Sequence, residues 1–381
     1  MATRWVVLKF GGTSVSTPER WRVIADLAKR RIAEGLRPLI VCSALSGVSN
    51  QLEALLGLAV EGRHEDALTA LRQRHLELGA GLKIDAAERL ADDFEELSRL
   101  ALAASLLREA GPALKARVMA FGELMSTRLG AAFLETQGLA IAWLDARTAL
   151  EAREDPAALG ARAYLSATCD FEHDEALAER LAEIPGAAVI TQGFIARNRE
   201  GQTVLLGRGG SDTSASYLAA RLRAERCEIW TDVPGLFTAN PSLLPSARLH
   251  RALNYEEAQE IATTGAKVLH PRSIPPLRKH RIPLHVLSTD RPDIPGTVIS
   301  ASGPVTGPQV KAISSRSGIT LISMETVGMW QEVGFLAKAF EIFAQHGVSI
   351  DSVSTSETNV TVSLDPGANA LEPAALRALL A

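Results

Sequence analysis

The chain has 381 residues, 46% hydrophobic and 22% charged, with a formal net charge of -4, a composition that fits a globular protein of two or three domains and gives no ground for a nucleic-acid partner. Cys42, Cys169 and Cys227 lack CxxC spacing, which argues against a zinc site or a disulfide framework and points to a reducing, cytoplasmic compartment. Arg4 and Lys9 bracket the only early apolar run, so no signal peptide is expected, and no run approaches the ~20 apolar residues of a membrane span.

WVVLKF, at 5–10, reads as a short buried strand. STPERWRVIADLAKRRIAEG follows as a helix: Ser16 or Thr17 can cap it, Pro18 suits its first turn and Gly35 ends it. RPLIVCSA is a second buried strand, and one βαβ unit of this kind builds a parallel sheet. From about 50 to 137 the pattern is helical, with apolar residues at three- and four-residue spacing. AIAWLDA and AAVITQGFIA are further strands, and RNREGQTVLLG turns as a hairpin around Glu200 and Gly201. SDTSASYLAARLRAE is a helix and CEIWTDV a buried strand; NYEEAQEIATTGA is a helix ending at a glycine, and RIPLHVLST is expected to be the last strand of the domain. RPDIPGTVISASGPVTGP is rich in Pro, Gly and Ser and marks a boundary. Beyond it the order is strand, helix, two strands joined near Glu357 to Asn359, and the start of a helix. The predicted domains are 1–300, a linker at 301–317, and 318–381, the last either incomplete or a βαββα unit closed by its C-terminal helix.

Four constellations carry chemistry. In Lys9-Phe10-Gly11-Gly12-Thr13-Ser14 the glycines let backbone N–H groups approach a phosphate, and the following helix start adds positive potential. The plainer reading is a tight turn with a solvated lysine. LLGRGGSDTSAS places Arg208, Gly209, Gly210, Ser211 and Asp212 at a second strand-to-helix junction. Arg208 can grip a carboxylate, and an aspartate beside a buried lysine would hold that lysine charged and aimed. Helix capping by Ser211 or Asp212 is the competing account. IWTDVPGLFTANP ends a strand in Thr231 and Asp232, which can read a base or ribose or merely start a turn. TGAKVLHP offers Lys267 to a phosphate, with His270 read as structural. Glu123 is a lone carboxylate on an apolar helix face, so if buried it needs a partner such as a ligand ammonium. GxGxxG, HExxH, Cys/His nucleophile pairs and metal-ligand clusters are absent from the sequence, so any magnesium would ride on phosphates and water.

Together KFGGTSV, GELMST, QGFI, LGRGGSD, WTDVPG and GAKVLHP, in this order, resemble the aspartate kinases of the amino-acid kinase family over roughly residues 5–300. The tail from Gly318 is similar to that family's ACT regulatory domains, with GFLAKAF and SIDSVSTSE closest to the lysine-sensitive type. The resemblance implies an α/β fold: a three-layer sandwich with a mainly parallel central sheet, plus a small βαββ(α) ACT-like domain. It implies ATP-dependent phosphorylation of the L-aspartate side chain to 4-phospho-L-aspartate, with magnesium. Lys9 would neutralise the transferring phosphoryl group, Asp212 would orient Lys9, and Gly11, Gly12 and Ser14 would cradle phosphates. Arg208 and Ser211 would hold the substrate α-carboxylate, Glu123 its ammonium, and Ser49 a further contact. Thr231, Asp232 and Phe237 would line the nucleotide site, with Lys267 at its phosphates. An effector pocket would draw on Met329, Gly334, Phe335, Leu336, Ser349, Asp351, Ser356 and Glu357, with lysine the expected effector. A homodimer or larger homo-oligomer through the ACT-like domain follows, and the resemblance leaves open whether the chain is part of a bifunctional fusion. Phe237, Asn240 and Ser242 stand where relatives often have Tyr, Asp and Arg, the last a phosphate contact. The rival readings are a kinase for another small acid and a non-catalytic amino-acid sensor.

Overall fold

The computed structural model describes residues 3–154, 160–264, 268–302, 310–315, 317–326, 332–365 and 373–380. The chain divides into two compact units, Met1–Ser314 and Ser315–Ala381.

In the first unit the strands are β1 (Trp5–Phe10), β2 (Arg37–Cys42), β3 (Ile141–Leu144), β4 (Ala188–Gln192), β5 (Ile195–Arg197), β6 (Thr203–Leu205), β7 (Arg226–Thr231), β8 (Ala252–Leu253), β9 (Leu284–Ser288) and β10 (Thr297–Ile299). Eight of them form one sheet in the order β3-β4-β2-β1-β7-β9-β10-β8, while β5 and β6 make the predicted hairpin. Every pairing in the sheet is parallel except β9 with β10.

Both faces of the sheet are covered, which is why the central strands read as continuous apolar runs. Side chains alternate across a strand. Val6, Leu8 and Phe10 of β1 therefore join one core with Trp21, Leu52, Leu55 and Met125, supplied by the helices Pro18–Ala33, Val48–Val60 and Pro112–Thr136. Trp5 and Val7 join the other core with Ala215, Leu218 and Ala219 of the helix Gly210–Arg221. The result is a three-layer α/β sandwich. Thr17 caps the first helix, accepting from Arg20 N at 3.4 Å. Trp21, fully buried, donates its indole N–H to Val15 O at 2.8 Å and so pins the turn that precedes the helix.

Three features depart from the sequence reading. β10 lies inside the Pro-, Gly- and Ser-rich stretch read as a boundary and pairs antiparallel with β9, so RIPLHVLST is not the last strand. Its Thr297, Val298 and Ile299 are a short run rich in β-branched residues, and the Thr297 hydroxyl bridges Leu236 N at 2.9 Å and His250 O at 2.6 Å. The two-residue β8 was not expected. Nor was the helix Glu175–Glu183, which Asp174 caps by accepting from Leu177 N at 2.9 Å. The predicted helix at 254–266 runs Tyr255–Thr264; its closing Gly265 lies outside the described residues.

In the second unit β11 (Thr320–Glu325), β12 (Ser352–Thr355) and β13 (Asn359–Leu364) form an antiparallel sheet in the order β11-β13-β12. The helices Phe335–Gln345 and Pro373–Leu380 complete a βαββα arrangement. Its core is Ile322, Phe343, Val360, Val362, Leu364 and Leu379. β12 is an edge strand with all four residues exposed.

Candidate active site

β1 is the point where the chain's path through the sheet reverses: the β1-helix-β2 crossover lies to one side and β7 to the other. In open parallel sheets the crevice beyond the carboxyl ends of the strands at such a point receives ligands. Lys9, Thr231 and Ser288 stand at or next to the carboxyl ends of β1, β7 and β9.

Lys9 is near the carboxyl end of β1 on the face covered by the helix Gly210–Arg221. It is 8% exposed, and its Nζ lies 2.6 Å from Asp212 Oδ1. Asp212, 9% exposed, also accepts from His270 N at 3.4 Å through Oδ2. The capping account of Asp212 falls: the helix begins at Gly210, its cap is Gly209 at φ 64°, and no side chain caps it. A Cβ on Gly209 would strike the His270 ring, so both the turn and the approach of His270 require glycine. Burial pushes the His270 imidazole below its usual value, with Asp212 opposing.

The first turn, Gly12–Val15, is a single 3-10 turn in which Ser14 N donates to Gly11 O at 2.9 Å. The N–H groups of Gly12 and Thr13 open the turn and lack an intrahelical partner, as helix starts do. A Cβ on Gly12 would sit 2.9 Å from Ala44 O, so only glycine lets the turn close on the β2 loop. Ser16 fastens the same contact by donating to Gly12 O at 2.6 Å and accepting from Ser46 N at 2.8 Å.

Glu123 projects from the helix Pro112–Thr136 to that loop. Its Oε1 accepts from Ala44 N at 3.1 Å, whereas Oε2 is buried without a partner. Burial pushes its carboxyl up to about 8, against the pull of Ala44 N–H. One oxygen of a buried carboxyl group is thus left without a partner beside an open glycine turn.

The remaining predicted residues fall into groups. Arg208 is exposed at the second turn, Ser211 is half-buried next to Asp212, and Ser49 is half-buried in the first turn of the helix Val48–Val60. Thr231 donates to Asp232 Oδ1 at 3.1 Å, and half-buried Phe237 pairs with Leu249 in an isolated bridge. Asn240 Oδ1 accepts from Ser242 N at 3.0 Å, so both are occupied in shaping an exposed turn. Lys267 and Met329 lie outside the described residues.

The effector candidates split between two ends of the small sheet. β11 and β12 both run antiparallel to β13, hence parallel to each other. Gly334, Phe335 and Leu336, at the start of the helix after β11, therefore share an end with Ser356 and Glu357, while Ser349 and Asp351 precede β12 at the other. The four residues of β12, at about 3.3 Å each, lie between Asp351 and Glu357.

Sequence reasoning missed three residues. Phe194 adopts φ 68°, a left-handed conformation rare for a bulky residue, and its N–H donates to Ser214 Oγ at 2.9 Å. The QGFI segment contained it without revealing that strain. Thr289 and Arg20 meet the first turn through side chains, Arg20 donating to Thr289 Oγ1 at 2.7 Å.

A mainly parallel sheet with two glycine turns flanking a buried Lys–Asp pair is the arrangement that the described residues bring together. The chain belongs to the amino acid kinase family, whose model matches residues 4–288; an ACT domain model matches residues 322–368. Lysine-sensitive aspartokinase 3 of Escherichia coli (strain K12) is 36% identical over 94% of this chain and 78% of its own. Aspartokinase 1, chloroplastic, of Arabidopsis thaliana is 33% identical over 94% of this chain, which spans 63% of that relative. The crystal structure of E. coli aspartokinase III in complex with aspartate and ADP (R-state) superposes with a TM-score of 0.81 at 34% identity, covering 99% of this chain and 83% of that one.

The folded-state pKa of Glu123, about 8, lies above the ordinary 4.5, so between those values the folded chain holds a proton that the unfolded chain releases. Stability then falls as pH rises through the window, and the full cost is present above pH 8. Glu123→Gln should raise Tm by several degrees at pH 8 and change it little at pH 4.5. Thermal melts with the same shift at both pH values would contradict this.

Proposed function

We propose that the chain transfers the γ-phosphoryl group of ATP to the side-chain carboxylate of L-aspartate, forming 4-phospho-L-aspartate and ADP. The observation that carries this reading is the buried Lys9–Asp212 pair, at 2.6 Å, between two glycine turns. The resemblance to relatives named aspartokinases, one seen with aspartate and ADP, supports the choice of substrates.

The chemistry suits the residues present. A carboxylate nucleophile with a pKa near 3.9 is ionised at neutral pH and needs no general base. What remains is to align two anions and screen their repulsion. The free N–H groups at Gly12 and Thr13, with Gly11 giving the chain its close approach, would cradle phosphate oxygens. Lys9, kept charged and aimed by Asp212, would meet the phosphoryl group as one carboxylate oxygen bonds to phosphorus and the bridging oxygen leaves with ADP. Glu123 Oε2 would receive the substrate ammonium, and Arg208 with Ser211 the α-carboxylate, helped by Ser49. Thr231, Asp232 and Phe237 would line the nucleotide, and Lys267 would reach its phosphates. Among the described residues no three metal-ligating side chains cluster, so magnesium would be held by phosphates and water and would supply charge neutralisation. A cytoplasmic setting suits the three buried free thiols.

Regulation by lysine and a homo-oligomer belong to the same proposal. The exposed edge β12 invites pairing with a second copy. Antiparallel pairing across a two-fold axis would bring Asp351 of one copy near the end that carries Gly334, Phe335, Leu336, Ser356 and Glu357 in the other. That juxtaposition would unite the split effector set, and Asp351 could then hold a lysine ammonium.

With Mg-ATP, the purified chain should form ADP and a hydroxamate-trappable acyl phosphate only when aspartate is present. Lys9→Ala should lower kcat by about 100-fold or more while the KM values move far less. An absence of acyl phosphate would remove the kinase reading, and unchanged turnover in Lys9→Ala would remove Lys9 from it. Lysine should inhibit this reaction, and Asp351→Ala should need about tenfold more lysine for half-inhibition. Equal sensitivity of the two chains would dismiss the effector site.

A further inference from the structure

We propose that Thr289 is a positioning residue that locks the Gly12–Val15 turn to the nucleotide end of β7, and that Ser14 acts through this lock rather than by touching phosphate. The inference rests on the kinase reading above and specifies how its phosphate turn is held.

Thr289 follows the carboxyl end of β9 and is 2% exposed. Its N–H donates to Thr231 O at 2.8 Å and its hydroxyl donates to the same oxygen at 3.0 Å. A hydroxyl has one proton and two acceptor positions. One acceptor position takes Arg20 Nη1 at 2.7 Å. The other faces Ser14 Oγ at 3.1 Å; with the Thr289 proton directed to Thr231 O, the proton on that bond comes from Ser14. Ser14 is fully buried and its N–H is already committed to Gly11 O. Both of its polar hydrogens are thus spent inside the protein, and neither is left for a phosphate oxygen.

Thr289 therefore joins three elements through one saturated oxygen: the first glycine turn by Ser14, the first helix by Arg20, and the end of β7 by Thr231. Arg20 is itself held by Asp290, so its guanidinium is fixed beside the turn. Removing the hydroxyl takes away Ser14's acceptor, leaves Arg20 with Asp290 alone and lets the turn drift from Thr231. The N–H groups of Gly12 and Thr13 would then lose their aim at a nucleotide phosphate, while the groups assigned to aspartate stay in place.

Calorimetric titration of the full chain with magnesium and ADP tests this, using Thr289→Ser, Thr289→Ala and Thr289→Val, with thermal melts on each. Ser and Ala at this position differ only in the hydroxyl. Thr289→Ala and Thr289→Val should bind ADP about tenfold more weakly, and Thr289→Ser should stay within about twofold of the unaltered chain. The aspartate KM should move by less than about twofold throughout, and adding Ser14→Ala to Thr289→Ala should weaken ADP no further. Equal ADP affinity in the Ser and Ala variants, fully additive losses with Ser14→Ala, or no ADP binding by the unaltered chain would overturn the proposal. Loss of the kinase reading would show separately, as ADP binding without aspartate-dependent turnover.

Discussion

The larger unit is arranged around one electrostatic constraint: an ammonium group sits in a nearly dry place. Lys9 is held at the end of a central strand with both flanks covered, where a lone cation would be costly. Asp212 removes that cost by standing 2.6 Å away, delivered by the second turn of glycines. The strand supplies rigidity and the two turns supply access. A lysine on a mobile loop, as in a Gly-Lys phosphate loop, would need no such partner.

The same economy of satisfied groups explains what is left unsatisfied. Hydroxyls around the first turn, Ser14, Ser16 and Thr289, are committed to protein partners at 2.6 to 3.1 Å. Glu123 Oε2 is left bare in the same neighbourhood, and burial raises its carboxyl well above an ordinary glutamate. Stability is given up at that position, and the proposed substrate ammonium is what restores the missing partner. Phe194 fits the same pattern, because a strained backbone at the end of β4 persists only where its surroundings over-determine it.

Much of this was legible in the sequence because it rests on local rules. The βαβ start, the glycine turns and the alternation of WVVLKF are written in consecutive residues, and so was the possibility that an aspartate would hold a buried lysine. Other contacts between distant segments were not. Only the fold brings Ala44 N to Glu123, or Thr289 to Ser14, and nothing in either segment names its partner. β10 was hidden because Pro and Gly around it outweighed three residues of β-branched signal. The effector residues were named together on a family resemblance, which does not show that parallel β11 and β12 carry them to opposite ends of the small sheet.

The proposed role of Asp212 in catalysis is to aim Lys9, rather than to cap a helix or bind a substrate. Steady-state kinetics of Asp212→Asn, a change that preserves shape, measures this most directly. The account predicts a fall in kcat of about 100-fold with the KM values for ATP and aspartate within a few-fold of the unaltered chain. An unchanged kcat, or a loss confined to the KM for one substrate, would contradict it.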